Sequence, residues 1–235
     1  MDNPNTSPIN PLPAVVWILV LPMIAMEIVI SAGTGGLVGG PTAIGWRLEA
    51  LQRFAFAPQY MRMMLETNSW PLDGVMRLFT YPVVSFSTTE TVFVVVLTLA
   101  LGKFVGEVFR WWAILALFMV GSVAGALAYS AVPGTQVALA GGYPGVYALI
   151  GGFTWLLWRH QRAMGHSQVT AFQLIGFLLL IRIVFGIGGL MFPGASISRG
   201  MDWVAELAGF AAGFALSFLV SPGGWAGLHQ RMRGR

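Results

Sequence analysis

Long apolar runs separated by short polar segments dominate the chain, and they predict an all-α membrane protein with six membrane-crossing helices. The runs cover residues 13–30, 88–104, 111–131, 144–158, 169–191 and 202–220. A helix of about 20 apolar residues crosses the roughly 30 Å hydrocarbon core of a bilayer. We therefore expect one membrane domain over residues 13–221. A loose polar tail at 1–12 and a basic tail at 222–235 flank it.

The connection between the first two runs, residues 31–74, is the longest in the chain. Apolar residues alternate there with charged ones such as Arg47, Glu49 and Arg53. This pattern is typical of short amphipathic helices that lie in the membrane interface with the apolar face toward lipid. We expect an interfacial helical loop anchored by Trp46 and Arg47. A partner-docking surface is the alternative for this methionine- and tryptophan-rich segment.

Composition restricts the chemistry. Hydrophobic residues make up 56% of the chain and charged residues 9%, whereas soluble domains carry about 25% charged residues. Cysteine is absent, which excludes disulfides and thiolate chemistry. Three histidines, His160, His166 and His229, lie in polar connecting or terminal segments. We see no metal cluster and expect no cofactor.

The positive charges indicate topology. The net charge of +4 is small and its arginines and lysines are spread over several loops, so we expect contacts with membrane lipids and none with nucleic acid. Lys103, Arg110, Arg159, Arg162 and the C-terminal arginines favour one side of the membrane. By the positive-inside rule, we predict that both termini are cytoplasmic, in a bacterial cytoplasmic membrane.

The fourth run opens with Gly141, Gly142, Tyr143 and Pro144. Proline fixes φ and lacks an N–H donor, so it suits the first turn of a helix. A helix from Pro144 to Trp158 would span roughly 22 Å at 1.5 Å per residue, less than the hydrocarbon core. We therefore predict that this helix begins inside the membrane. The irregular backbone before it must then be buried in protein or line a wet cavity open to one side.

Several motifs resemble those of the rhomboid intramembrane proteases. Residues 141–152 align without a gap with the glycine-rich start of the family's fourth transmembrane helix. Residues 205–213 resemble the sixth-helix motif A-H-x-x-G-F-x-x-G, and residues 77–81 resemble the lead-in R-L-x-T-Y to the second helix. Rhomboids also carry a membrane-dipping loop, often with a Trp-Arg pair, where Trp46 and Arg47 lie. The resemblance implies a six-helix rhomboid-like bundle.

In the same alignment, each catalytic residue of the family falls on a residue of another type in this chain. The nucleophilic serine falls on Tyr143, or on Pro144 if the following glycine is the anchor. The general-base histidine falls on Glu206, and the two oxyanion-binding residues fall on Glu90 and Val94. A serine protease needs an activated hydroxyl, a base and an oxyanion hole, and a phenol with a pKa near 10 is a poor substitute. We therefore expect that the chain is not an enzyme.

The polar residues left in the apolar runs have two interpretations. If the rhomboid geometry holds, the Tyr143 hydroxyl and the Glu206 carboxyl group hydrogen-bond, either as a polar clasp between two helices or as a client-contacting or proton-holding site. Arg182 lies in the middle of the fifth run, where charge is costly. It either snorkels or pairs with Glu206 or Glu27, or it offers a polar handle to a partner's transmembrane segment. Glu27 and Glu90 are expected to be interfacial.

Small residues indicate which helices pack closely. Gly121 and Gly125 are four residues apart in the third run, a spacing that lets helices approach in membranes. Gly209 and Gly213 are expected to do the same between the sixth and fourth helices, and Gly145 is expected at a helix contact of the fourth.

By resemblance, inactive rhomboids bind transmembrane helices of other proteins and affect their assembly, quality control or turnover. We expect this chain to bind transmembrane segments of partner proteins in the same way, in assembly, in quality control or as an accessory subunit. A divergent intramembrane serine-type protease and a small transporter or channel remain alternatives. Labelling by a serine-reactive probe would favour the protease, and a continuous water path across the bundle would favour the transporter.

Overall fold

The computed structural model describes residues 12–165, 168–173, 175–177, 180 and 201–221, which form an all-α bundle. Within these residues eight α-helices have both ends defined. They are α1 (Ala14–Thr34), α2 (Trp46–Phe54), α3 (Pro58–Thr67), α4 (Leu72–Thr80), α5 (Thr88–Gly106), α6 (Trp111–Ala131), α7 (Tyr143–Ala163) and α8 (Asp202–Val220). Short 3-10 helices lie at Gly40–Gly45, Tyr81–Val83 and Gln168–Phe172.

Four of the described helices, α1, α5, α6 and α8, are long and apolar enough to cross a membrane. Helix α7 also has 21 residues, but its last turn carries basic residues such as His160 and Arg162. The predicted fifth span, residues 169–191, falls largely outside the described residues, and so does Arg182.

Helices α6 and α8 begin and end where the apolar pattern predicts. Helix α1 continues past the predicted end at residue 30, because hydroxyl groups bond back one turn. Ser31 donates to Glu27 at 2.8 Å, and Thr34 donates to the Ile30 carbonyl at 2.9 Å. The predicted end of α7 at Trp158 was wrong, because residues 159–163 contain neither glycine nor proline and continue the helix. Its apolar part still stops near Trp158.

Helices α7 and α8 run parallel and touch through their backbones. A Cβ added at Gly209 would overlap the Pro144 carbonyl, and one added at Gly213 would overlap the Ala148 carbonyl. Small residues therefore allow an approach that any larger side chain would block. The buried face of α8 repeats them every four positions, at Ala205, Gly209, Gly213 and Ser217.

Helix α6 packs on the same pair. A Cβ at Gly125 would lie 2.6 Å from the Pro144 Cβ and 2.8 Å from the Ala205 carbonyl. Gly121 faces Ala148, and Gly145 faces the Phe118 ring of α6 at 2.7 Å. All five glycines expected at helix contacts thus lie between α6, α7 and α8, and these faces are filled by the chain itself.

The loop between α1 and α5 is helical, as predicted, and part of it packs on the bundle. Helices α3 and α4 bury Met61, Met64 and Leu78 in one cluster. The cluster also contains Phe56, which precedes α3, and Tyr129 of α6. Part of the apolar surface of α3 and α4 thus packs on α6, while Met63, Leu65 and Phe79 stay exposed, and the interfacial position of the loop stays a prediction. Helix α2, by contrast, has no buried residue.

The lead-in motif at residues 77–81 ties this loop to the bundle. Arg77 donates to the Ala55 carbonyl at 3.0 Å, and Thr80 donates to the Phe54 carbonyl at 3.3 Å. The Tyr81 hydroxyl donates to the Ser122 carbonyl of α6 at 2.7 Å. Burial raises the pKa of the Tyr81 phenol, so this group stays a donor. The motif therefore fixes the backbone that leads to α5.

Candidate functional site

The backbone before α7 is irregular and buried in protein, as the short apolar length of α7 requires. Leu139 and Phe56 exchange two backbone hydrogen bonds in an isolated antiparallel bridge. The Gly141 N–H donates to the Tyr81 and Val84 carbonyls at 3.1 and 2.8 Å. These bonds satisfy backbone groups that would otherwise be costly at membrane depth. They also hold the start of α7 against the segment that precedes α5.

Glu90 lies directly beside this backbone. Gly141 has a φ of +93°, and a Cβ there would lie 2.7 Å from Glu90 Oε1, so this position requires glycine. The Glu90 N–H donates to Ser87 Oγ, and Glu90 Oε2 accepts from the Phe86 N–H at 3.1 Å. The arrangement resembles a capping box at the start of α5. Glu90 is therefore fixed in place and faces the backbone just before Tyr143.

Val94 contacts the next glycine. A Cβ at Gly142 would lie 2.8 Å from Val94, 3.2 Å from Met23 and 3.3 Å from Phe118. Apolar side chains from α1, α5 and α6 thus fill the space beside the start of α7. These contacts fill one side of the start of α7, and the predicted cavity there stays a prediction. A cavity also lies between α1 and α2.

Tyr143 and Glu206 lie at the same level of the bundle. Tyr143 is the first residue of α7 and is half-buried, and Glu206 in α8 is 2% exposed. Gly209, which follows Glu206 in α8, lies against the Pro144 carbonyl. The carbonyl of Ala205, which precedes Glu206, lies against Gly125 of α6, and Gly125 also contacts Pro144. The predicted Tyr143–Glu206 hydrogen bond stays a prediction. Four aligned positions, Glu90, Val94, Tyr143 and Glu206, surround the start of α7.

The imidazole of His160 lies far along α7 from this site. His160 is 17 residues after Tyr143 in the same helix, which corresponds to about 25 Å at 1.5 Å per residue. His166, His229 and Arg182 lie outside the described residues. Among the described residues, no group of three or more histidines and carboxylates is placed to hold a metal ion.

A second polar cluster, which the sequence did not predict as such, joins α1, α2 and α5. The Arg47 guanidinium forms an ion pair with Glu27 at 2.6 Å and donates to the Ser85 carbonyl at 3.0 Å. Glu27 also accepts from Thr88 at 2.7 Å and Thr91 at 2.9 Å. This carboxylate is 9% exposed and points at the bundle, and its expected position at the membrane interface stays a prediction.

Trp46 and Arg47 therefore attach α2 to the bundle. A Cβ at Gly39 would lie 2.6 Å from the Trp46 ring, which also covers Gly33. The sequence feature that could have indicated this ion pair was Glu27, a lone carboxylate inside an apolar run, followed by Arg47 in the next segment.

The sequence profile of the rhomboid domain matches residues 73–223, which is more than half of the chain. The chain belongs to the rhomboid family. A comparison with curated proteins finds no significant match. The family assignment shows an integral membrane protein with a rhomboid-type bundle.

Within the rhomboid domain, the groups around the start of α7 can donate and accept hydrogen bonds. A phenol and two carboxyl groups lie there, and neither serine nor histidine occupies any of the four aligned positions. Phenol and carboxyl groups suit the holding of a proton or of a polar partner group. They do not form the hydroxyl–base pair of a serine nucleophile.

Proposed function

We propose that this rhomboid-family protein is not a protease and that it binds transmembrane segments of partner proteins. The binding would serve assembly, quality control or an accessory subunit role. The observation that carries the proposal is the set of residues around the start of α7. Tyr143 and Glu206 stand where resemblance puts the nucleophile and base, and Glu90 and Val94 stand where it puts the oxyanion-binding residues.

The hydroxyl–carboxylate contacts elsewhere in the described residues do not form the nucleophile and base of a hydrolase. Thr88 and Thr91 both donate to Glu27, yet the charge of that carboxylate is engaged by Arg47 at 2.6 Å. A general base must be able to take the proton of the attacking hydroxyl. Ser122 donates to the Phe118 carbonyl within α6 at 2.8 Å. A serine-protease mechanism therefore has no support from these hydroxyls.

A partner helix would meet the site through its half-buried members. Glu206 is enclosed by the bundle, whereas Tyr143 and Glu90 keep part of their surface exposed. Polar groups at membrane depth are expensive and are usually retained for a polar partner or pathway. The glycine faces of α6, α7 and α8 are already packed on one another, so the partner would bind beside Tyr143 and not on those glycines.

Photocrosslinking from inside the site tests this proposal. Benzoylphenylalanine placed at Tyr143 should crosslink in intact membranes to a defined set of membrane proteins, identified by mass spectrometry. The same probe at Trp17, a lipid-exposed aromatic residue of α1, is the matched control. Crosslinks to lipid alone, or the same products from both positions, would contradict partner binding at this site.

Affinity purification gives a second readout. Mild-detergent purification followed by mass spectrometry should show a partner with the wild type that is depleted at least severalfold with Glu206→Ala. Equal recovery with both proteins would argue that the carboxyl group of Glu206 has no part in binding.

A further inference from the structure

A cavity lies between the end of α1 and the exposed helix α2, away from the site at the start of α7. Its volume is about 250 Å³. Met26, Val29 and Ile30 of α1 form one wall, and Trp46, Ala50 and Phe54 form the other. Glu49 and Arg53 are the two charged residues that line it, and both are exposed at the surface. The cavity is thus apolar with one acid and one base at its edge.

The cavity lies between the two ends of α2, which are both attached to the bundle; at the last turn, Thr80 donates to the Phe54 carbonyl at 3.3 Å. Trp46 and Arg47 fix the first turn of α2 to the Gly33–Gly39 backbone and to Glu27. The rest of α2 has no buried residue. Val29 is 54% exposed and faces the bilayer side of α1. A lipid chain can therefore enter the gap from the membrane without any movement of the bundle.

We propose that this cavity binds one acyl chain of a phosphatidylethanolamine lipid, with its headgroup between Arg53 and Glu49. One turn of a transmembrane helix about 10–12 Å wide and 5.4 Å high encloses roughly 420–610 Å³, more than the cavity of about 250 Å³ holds. A single acyl chain is narrow enough. The site is independent of the proposed binding of partner helices.

The charges at the edge select the headgroup. Glu49 and Arg53 are four residues apart on α2, so their side chains are neighbours on one face at about 5–6 Å between Cβ atoms. Within the part of the chain that the structure describes, these two residues form no ion pair with each other. The Arg53 guanidinium lies over the Phe54 ring, 5.8 Å from its centroid. It can bind a phosphate, while Glu49 can accept from a primary ammonium.

The same arrangement disfavours other common headgroups. The quaternary ammonium of phosphatidylcholine has no N–H to donate to Glu49. Phosphatidylglycerol has no cation at all, and its negative charge is repelled by Glu49. The site therefore discriminates by headgroup and not only by chain.

Native mass spectrometry of the full chain tests the site. The detergent-solubilised, delipidated protein is titrated separately with dioleoyl phosphatidylethanolamine, phosphatidylcholine and phosphatidylglycerol. We expect one phosphatidylethanolamine to be retained at least tenfold more tightly than either of the other two. Equal retention of all three lipids would overturn the headgroup assignment and the proposal with it.

Two α2 variants locate the binding. Ala50→Trp fills the cavity and should weaken phosphatidylethanolamine binding at least tenfold. Leu48→Trp, on the 62% exposed face of the same helix, adds the same side chain outside the cavity and should leave binding unchanged. Wild-type affinity in Ala50→Trp, or a co-purified peptide in place of the lipid, would overturn the proposal.

A surface variant covers the case in which Ala50→Trp fails to fold. Glu49→Gln removes the ammonium acceptor without changing the cavity. It should reduce the preference for phosphatidylethanolamine over phosphatidylcholine to less than threefold. An unchanged preference would overturn the assignment of Glu49.

Discussion

At the scale of single residues, the ion pair of Glu27 and Arg47 joins a membrane-spanning helix to the loop that follows it. Glu27 receives donors from Arg47, Ser31, Thr88 and Thr91. A buried charge that keeps several hydrogen bonds is tolerated, and removing its partner leaves an uncompensated charge.

Glu27→Ala should therefore lower the free energy of unfolding by about 1.5–3 kcal/mol, the usual range for hydrogen bonds to a charged group. Unfolding in mixed detergent micelles measures it. Glu107→Ala, at an exposed position after α5, should cost less than about 0.5 kcal/mol. A double-mutant cycle with Arg47→Ala should give a coupling of about 0.5–3 kcal/mol, and additive losses would contradict the pair.

The predicted contact between Tyr143 and Glu206 is also testable at this scale. Hydrogen bonds between membrane helices are worth about 0.6 kcal/mol on average and up to about 1.7 kcal/mol. A cycle of Tyr143→Phe and Glu206→Gln should show coupling in that range. Losses that add within about 0.3 kcal/mol would remove the polar clasp.

Single residues were the hardest part to predict from sequence. The alignment placed Glu90 and Val94 near Tyr143, and the structure brings both to the backbone just before it. The partner of Glu27 was not identified, because Arg47 is 20 residues away and only the folded loop brings the two together. A lone carboxylate in an apolar run does not say which cation reaches it.

At the scale of elements, the α6–α7–α8 core depends on glycine at backbone contacts. Gly213→Ala places a Cβ against the Ala148 carbonyl, and backbone cannot yield as a flexible side chain can. We expect a loss of about 1–3 kcal/mol of stability, as for overpacked cores. Gly45→Ala adds the same methyl group where nothing lies within 4 Å and should cost nothing. Equal effects of the two variants would refute the close α7–α8 contact.

Helix boundaries were predicted well wherever the apolar pattern alone determined them. The apolar runs located α6 and α8 to the residue, because Arg110 or Asp202 marks each start and a proline lies two residues beyond each end, at Pro133 and Pro222. Helix α7 was predicted too short, since its basic last turn is helical without being apolar. The position of α3 and α4 against α6 depends on tertiary packing of Met61, Met64 and Leu78, which amphipathic periodicity does not distinguish from packing on lipid.

At the scale of the whole molecule, the rhomboid bundle is retained while the residues around the start of α7 differ from those of a protease. The packing that positions this site, from the Tyr81 hydroxyl to Gly209, follows the family's motifs. A rhomboid bundle with a phenol and carboxyl groups at the positions that resemblance assigns to the nucleophile and base supports the proposal that this protein binds partners and does not cleave them.

Labelling with a serine-reactive fluorophosphonate probe tests that claim most directly. An active rhomboid protease in parallel membranes serves as the positive control, and labelled sites are mapped by mass spectrometry. We predict that the control is labelled and that this protein is not, at any serine, under the same conditions. A labelled serine in this chain that requires the folded protein would contradict the account.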